Sequence, residues 1–322
     1  MEKLPKLPKL LEIKIYKTGQ TRGADDDEIY QNRVGRNSTV LIPFHQFENY
    51  YYDKVYSLKF ENGYIVLISP KDFFNSENEN VIKNFNLVLG ENLLIFYETR
   101  EDWVKYNPEK LGYKVASSRT APLNGQYIAR IPATTATSEG SKINKGFNIT
   151  KLKGAGIRAY EYASAENIKK ARIQLEAIFW HCYDSLEIAT ENGMTLAEAE
   201  KRKEACLKIA KEEKLLDYEK LIEKRILNIE KITICPLCLE KVSANGFFSK
   251  VPQAEGREVI DLTITQLNLF HIHELRYGEF NHIPYNLGWG HHFCNVVVKD
   301  SGIDNTINWM IEVLRRNYFN VN

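Results

Sequence analysis

Leu267-Asn268-Leu269-Phe270-His271-Ile272-His273-Glu274-Leu275 is a strand-like run with a histidine near its end. Two short pairs of metal-ligating residues bracket it. Cys235-Pro236-Leu237-Cys238 precedes it as a C-x-x-C pair, and His291-His292-Phe293-Cys294 follows it as an H-x-x-C pair. Zinc takes four soft or borderline ligands in a tetrahedron, and each pair lets one tight turn aim two donors at a single ion. A lone C-x-x-C would be a weak signal, compatible with a redox pair or buried thiols. Two pairs form a strong one, so Cys235, Cys238, His291 and Cys294 are the expected ligands of a structural Zn²⁺.

Working inward, His271-Ile272, Gly278, Asn286-Leu287 and His291-x-x-Cys294-Asn295 follow one another in order. In that order and spacing, residues 232–300 resemble the HNH, or ββα-metal, nuclease family. Its pattern runs from a strand through Asp-His-Ile, a glycine and Asn-Leu to C-x-x-C-Asn/His on a helix. The resemblance implies that His271 is the general base, taking a proton from water as it attacks a phosphate; an imidazole suits this because it titrates near neutrality. It implies a divalent cation, Mg²⁺, on that phosphate. Asn295 would ligate the ion, and Asn286 would hold the loop and so orient His271. Two departures stand out. Histidine replaces one cysteine of the second pair, and Phe270 stands where the family places an acidic or histidine ligand. His273 and Glu274 are therefore expected to join Asn295 on the ion, His273 because in a strand it shares the face of His271. His282 is a further candidate. His273 as base with His271 as ligand, and a degenerate, inactive site, are alternative readings.

The rest of the chain is consistent with a folded DNA enzyme. It has 322 residues, enough for about two domains, and 43% apolar residues, enough for a core. A formal net charge of +1 argues against indiscriminate polyanion binding. Residues 101–160 nonetheless carry ten Lys/Arg against four Asp/Glu. No apolar run approaches the length of a membrane span. The segment Met1–Leu10 lacks the apolar core of a secretory signal, so a cytoplasmic location is expected. The five cysteines are an odd number, which argues against a disulfide framework; Cys182 and Cys206 fall in helical patterns and read as buried small hydrophobes.

An α+β protein is expected: a mixed, β-rich N-terminal domain over 1–163, a central helical segment over 164–230 and a zinc-braced ββα-metal (HNH) module over 231–322. Alternation predicts a strand over Leu11–Tyr16. Short runs at Tyr64–Ile68 and Leu93–Tyr97 predict two more, with a hairpin-type turn at Asn62-Gly63. The segment from Ser117 to Gly156 reads as a long surface loop. Thr195-Leu196-Ala197-Glu198 fits a capping box, Asn192-Gly193 separates two helices, and a last helix runs from about Asp304 to Arg316.

Target choice is assigned to the N-terminal domain. Arg22, Gln31, Arg33, Arg36 and Asn37 lie in glycine-containing, loop-like stretches and could read base edges; Arg119, Lys142 and Lys145 could contact phosphates. The whole looks like a Type II restriction endonuclease, a homodimer on double-stranded DNA, with the helical segment as dimer surface, clamp or linker. Three alternatives stand beside it. One is a modification-dependent HNH endonuclease with Tyr50-Tyr51-Tyr52 and Trp103 in an aromatic cage. The second is a non-catalytic zinc protein that binds DNA, and the third a homing or mobile-element endonuclease, which would need a much longer target.

Overall fold

A computed structural model describes residues 4–22, 33–47, 60–116, 123, 125–134, 140–146, 156–251, 265–276, 279–299 and 301–319. The fold is mixed α+β. The chain forms two compact units, Gly19–Ser164 and Met1–Thr18 together with Ala165–Asn322. Among the described residues, no helix is long and apolar enough to cross a membrane.

In the unit Gly19–Ser164, β1 (Gln20–Arg22) and β2 (Arg33–Gly35) form a small antiparallel pair. A six-stranded sheet follows, with β3 (Val40–Pro43), β4 (Tyr64–Ile68), β5 (Leu93–Tyr97), β6 (Tyr127–Ile131), β7 (Ile143–Lys145) and β8 (Ile157–Arg158) in the order β7-β6-β5-β4-β3-β8. Every neighbouring pair is parallel except β6 with β7. The strand sequences explain this. Leu93, Leu94 and Ile95 are consecutive and all fully buried, so both faces of β5 are covered. Continuous apolar runs of that kind belong to parallel sheets, whereas alternation belongs to antiparallel ones.

Two expectations are corrected here. The Asn62-Gly63 turn exists, with Gly63 at φ +69°, but it leads into β4, whose neighbours are both parallel, so it closes no hairpin with β4. The stretch expected to be a long loop contains β6 and β7. Tyr127–Ile131 is only five residues and is flanked by polar sequence, yet it is almost wholly buried and pairs with β5.

The other unit packs helices against a hairpin. Leu11–Tyr16, expected to be a strand, lies in helix α1 (Lys9–Lys17). Leu7, Leu11 and Ile15 are all buried. Within the helix, the spacing of Leu11 and Ile15 puts them on one face, with Leu7 packing just before its start, and that burial outweighs the two-residue alternation. The helical segment is α2 (Ala165–Trp180), α3 (Ser185–Glu191), α4 (Leu196–Glu212) and α5 (Tyr218–Glu223). Thr195 and Glu198 form the expected capping box on α4. Then come β9 (Leu267–His271), β10 (Leu287–His291), α6 (His292–Val298) and α7 (Ile303–Arg316).

One core joins helices and hairpin. Leu175, Ile178 and Phe179 of α2 belong to the same buried cluster as Phe247, Phe270, Leu287 and Trp289. The Trp289 indole N–H donates to Leu175 O at 2.9 Å. The Gln174 amide donates to Leu215 O at 2.9 Å and accepts from the Tyr285 N–H at 2.7 Å. Polar groups of α2 therefore hold the hairpin as well as apolar ones.

Lys14 links α1 to the start of β9. Its buried amine donates to Thr265 Oγ1 and to Leu267 O, and it sits 5.6 Å from the Phe247 ring centre. Burial, and then the neighbouring Lys17, pull its pKa from 10.5 down to about 7. Between those values the unfolded chain keeps a proton that the folded one has released, so stability rises with pH from about 7 to 10.5 and the full penalty applies below 7. A displacement of that size corresponds to at most ~5 kcal/mol. Lys14→Met should flatten this slope, because the titrating amine is gone; Leu267 O remains satisfied by the Thr265 hydroxyl, which donates to it at 3.0 Å. Thermal melts at neutral and alkaline pH check it; an unchanged pH dependence would show that the amine is not the group responsible.

Candidate active site and metal centre

The metal pairs meet. Cys235, Cys238, His291 and Cys294 each offer one donor atom, and these atoms all lie within 4.8 Å of one another. Cys238 Sγ is 3.3 Å from His291 Nδ1. Local structure explains each position. The Cys235–Cys238 turn is closed by Leu239 N–H to Cys235 O and by Cys235 N–H to Glu240 O, both at 2.9 Å. Leu239 takes a left-handed conformation, φ +62°, to complete it. His291 ends β10 and caps α6, and Cys294 lies in the first turn of that helix. The donors fit a tetrahedral zinc ion, whose bonds of about 2.0–2.3 Å place its ligands roughly 3.5–3.8 Å apart.

The electrostatics agree with that fit. Burial, and then the neighbouring Cys235 and Cys238 sulfurs, push the Cys294 thiol far above its ordinary range. Three thiolates cannot share so small a volume without a cation to offset their charge. Cys182 and Cys206 are buried, as expected, and are not among the four clustered donors; burial raises both.

Beside the metal centre, β9 and β10 run antiparallel, with His271 opposite Leu287 and Leu267 opposite His291. Phe270 and His271 project to opposite faces. Phe270 is fully buried and its ring lies over Gly290, where a Cβ would meet it at 2.5 Å. The position that departs from the nuclease pattern is thus a core residue. His271 is half-buried at the strand's end, and its Nε2 lies 3.1 Å from Nδ1 of His282.

Asn286 is buried and clamps the loop. Its Oδ1 accepts from the His273 N–H at 2.7 Å, and its Nδ2 donates to His273 O at 2.9 Å and to Asn281 O at 2.7 Å. That is the kind of loop-holding contact expected of it. Asn295 sits half-exposed in α6, one residue past Cys294.

His273 and Glu274 lie elsewhere. Strand β9 ends at His271 and the chain bends over the next two residues, so the alternation that would put His273 on the face of His271 does not continue. Both side chains line a cleft of about 490 Å³, together with Arg225, Arg276, Asn281 and Asp304. The Glu274 carboxylate is ion-paired with Arg276 and lies against Gly302, which precedes α7. Among the described residues, the Cys/His quartet is the group of three or more His, Cys, Asp or Glu side chains that reaches ligand range; His271, His273, Glu274 and His282 form no second one.

The expected DNA-contact residues scatter. Arg36 is buried, and its guanidinium donates to Glu161 O at 3.1 Å, so it supports its own unit. The Asn37 amide donates to Glu61 at 3.0 Å. Lys145 is ion-paired with Glu109, which raises its pKa, and stands over the Trp103 ring. Lys142 is half-exposed. Gln31, Arg119 and the side chains of Arg22 and Arg33 lie outside the described residues, as do Gly278 and Tyr50–Tyr52. Trp103 packs edge-on against Tyr97 and Tyr127 inside its unit. His282 had only been one candidate among several; its contact with His271 spans a loop whose pairing no local spacing rule encodes.

The family model for the BstXI restriction endonuclease matches residues 13–292. Comparison with curated proteins and with solved structures gave no match.

Proposed function

Since the chain belongs to the BstXI restriction endonuclease family, whose members cleave DNA, we propose that its hairpin and following helix, residues 267–298, are the cleavage centre, an HNH (ββα-metal) module within a sequence-specific Type II enzyme. The observation that carries this reading is the convergence on one hairpin of three features named from the sequence. They are the Cys/His quartet, His271 at the end of β9 and the Asn286 clamp on the loop between the strands. Family membership also favours cleavage over the non-catalytic alternative.

In this reading His271 is the general base. It takes the proton of a water as that water's oxygen attacks phosphorus. Structural zinc on Cys235, Cys238, His291 and Cys294 joins the turn at 235–238 to the start of α6, so both sides of the hairpin are held. Asn286 fixes the backbone two residues beyond His271. A divalent cation, Mg²⁺, would neutralise charge on the phosphate oxygens. Asn295 and Glu274 offer the hard oxygen donors such an ion takes, with His273 the third proposed ligand. Glu274 would have to exchange Arg276 for the ion. The unit Gly19–Ser164 is proposed to read the target, with lysines such as the half-exposed Lys142 on phosphates. A homodimer would supply one centre per strand.

Digestion of plasmid or phage DNA with Mg²⁺, followed by run-off sequencing of the ends, tests this function. Discrete fragments with ends at one repeated sequence are expected. Random degradation would overturn sequence specificity, and intact DNA across a range of substrates, methylated and unmethylated, would overturn catalysis.

A further inference from the structure

Two imidazoles meet where the hairpin's loop folds back. His271 Nε2 and His282 Nδ1 are 3.1 Å apart, with ring centres at 5.4 Å and planes at 51°. His282 is wholly buried, whereas His271 is half-buried. The chain on both sides of His282 is tied down. Before it, Asn281 O accepts from Asn286 Nδ2 at 2.7 Å, and Asn281 Nδ2 donates to Glu274 O at 3.0 Å. After it, the Ile283 N–H donates to Asn281 O at 2.9 Å. Asn286 also holds both sides of His273. One buried amide therefore ties the backbone next to His282 to the backbone two residues beyond His271.

Two ring nitrogens at hydrogen-bond distance share one proton, and it can be placed in two ways. If His282 Nδ1–H donates, the His271 Nε2 lone pair is consumed and His271 Nδ1 carries the remaining proton. No lone pair is then left for a water. If His271 Nε2–H donates, His282 Nδ1 accepts and His271 Nδ1 keeps its lone pair. Only the second arrangement leaves a base. The hydrogen bond on one ring nitrogen selects which nitrogen is basic, as in other histidine sites.

We propose that His282 is a positioning residue that holds His271 in the tautomer basic at Nδ1 and fixes its ring plane; this rests on the reading of His271 as the general base. The water's proton passes to His271 Nδ1, and the resulting imidazolium keeps its Nε2–H on His282 Nδ1. His282 touches neither water nor phosphate. It acts through His271 alone, and it supplies from the loop an orienting contact that no motif position provides.

The test is a set of full-length variants assayed under single turnover on DNA that the enzyme cuts, alongside DNA affinity without divalent cation, bound zinc and melting temperature. His282→Ala should slow cleavage about 10–100-fold with affinity and zinc content unchanged. His282→Asn places an amide oxygen near the Nδ1 position and should recover most of the rate; His282→Gln, whose amide reaches the Nε2 position, should not. In a His271→Ala background, His282→Ala should cost nothing further. His282→Ala at the wild-type rate would overturn the proposal. So would the same loss repeated in the His271→Ala background, which marks a purely structural role. Should His282→Ala fail to fold, the Asn and Gln variants decide: Gln equal to or better than Asn overturns it. His271→Ala cutting at full rate would instead sink the assignment of the base itself, a result that the His282 variants alone cannot produce.

Discussion

His271→Ala is expected to reduce DNA cleavage by about 10²–10⁴-fold, the range a positioned general base supplies, and to leave DNA affinity, zinc content and melting temperature near wild type. The expectation of an isolated chemical defect comes from the position of the residue. His271 closes β9 at a half-buried site, and the fully buried side chain at that end of the strand is its neighbour Phe270. Truncating His271 therefore opens no large core cavity. The strand pairing that fixes it uses backbone groups and the Leu287 partner, neither of which alanine disturbs. The Asn286 clamp bonds the His273 peptide and Asn281 and does not depend on the imidazole. Single-turnover cleavage, with affinity measured separately, separates the two quantities. Full activity in this variant would remove His271 from the chemistry and leave His273 as the histidine to test next.

The site was legible to the extent that its determinants are local. C-x-x-C and H-x-x-C are ligand spacings that a single turn or helix start satisfies, so Cys235, Cys238, His291 and Cys294 could be named without knowing what surrounds them, and they converge. The last helix, expected from about Asp304 to Arg316, is α7 (Ile303–Arg316). What failed depended on partners distant in sequence. Leu11–Tyr16 alternates like a strand, but burial of Leu7, Leu11 and Ile15 together makes it a helix. Tyr127–Ile131 is too short and too flanked by polar residues to stand out, and only its pairing with β5 makes it a strand. The shared face of His271 and His273 presumed that β9 continues, whereas the strand stops where the Leu287 register stops. The His271–His282 contact spans a loop and has no periodicity to announce it. Arg36 reads as a surface cation in its glycine-containing stretch, yet a backbone carbonyl of Glu161 draws it inward.

The second large effect expected is loss of the metal. Cys235→Ser and Cys294→Ser should each release zinc and unfold the hairpin-and-helix module. The reason lies in what joins its parts. The turn at 235–238 and the first turn of α6 are separate segments, and the four donor atoms are where they meet. Without a cation the buried Cys235 and Cys294 thiols and the exposed Cys238 thiol face one another, and the Cys294 thiol is held protonated by burial and by its two sulfur neighbours. Ligand binding energy is folding energy in such sites, on the order of 10 kcal/mol in isolated zinc fingers. The effect here should be smaller than that, because Phe270, Leu287 and Trp289 also share a core with α2 and Trp289 donates to Leu175 O. A residual helical core with a released module is therefore the expected product, visible as hydrogen exchange rising over 234–241 and 287–298 ahead of 165–180. Cys206→Ser is the control: it perturbs a buried thiol outside the quartet and should lower stability without releasing zinc. Stoichiometric zinc retained in both ligand variants, or an unchanged melt after chelation, would remove the metal from the architecture and, with it, the brace that the cleavage reading places around His271.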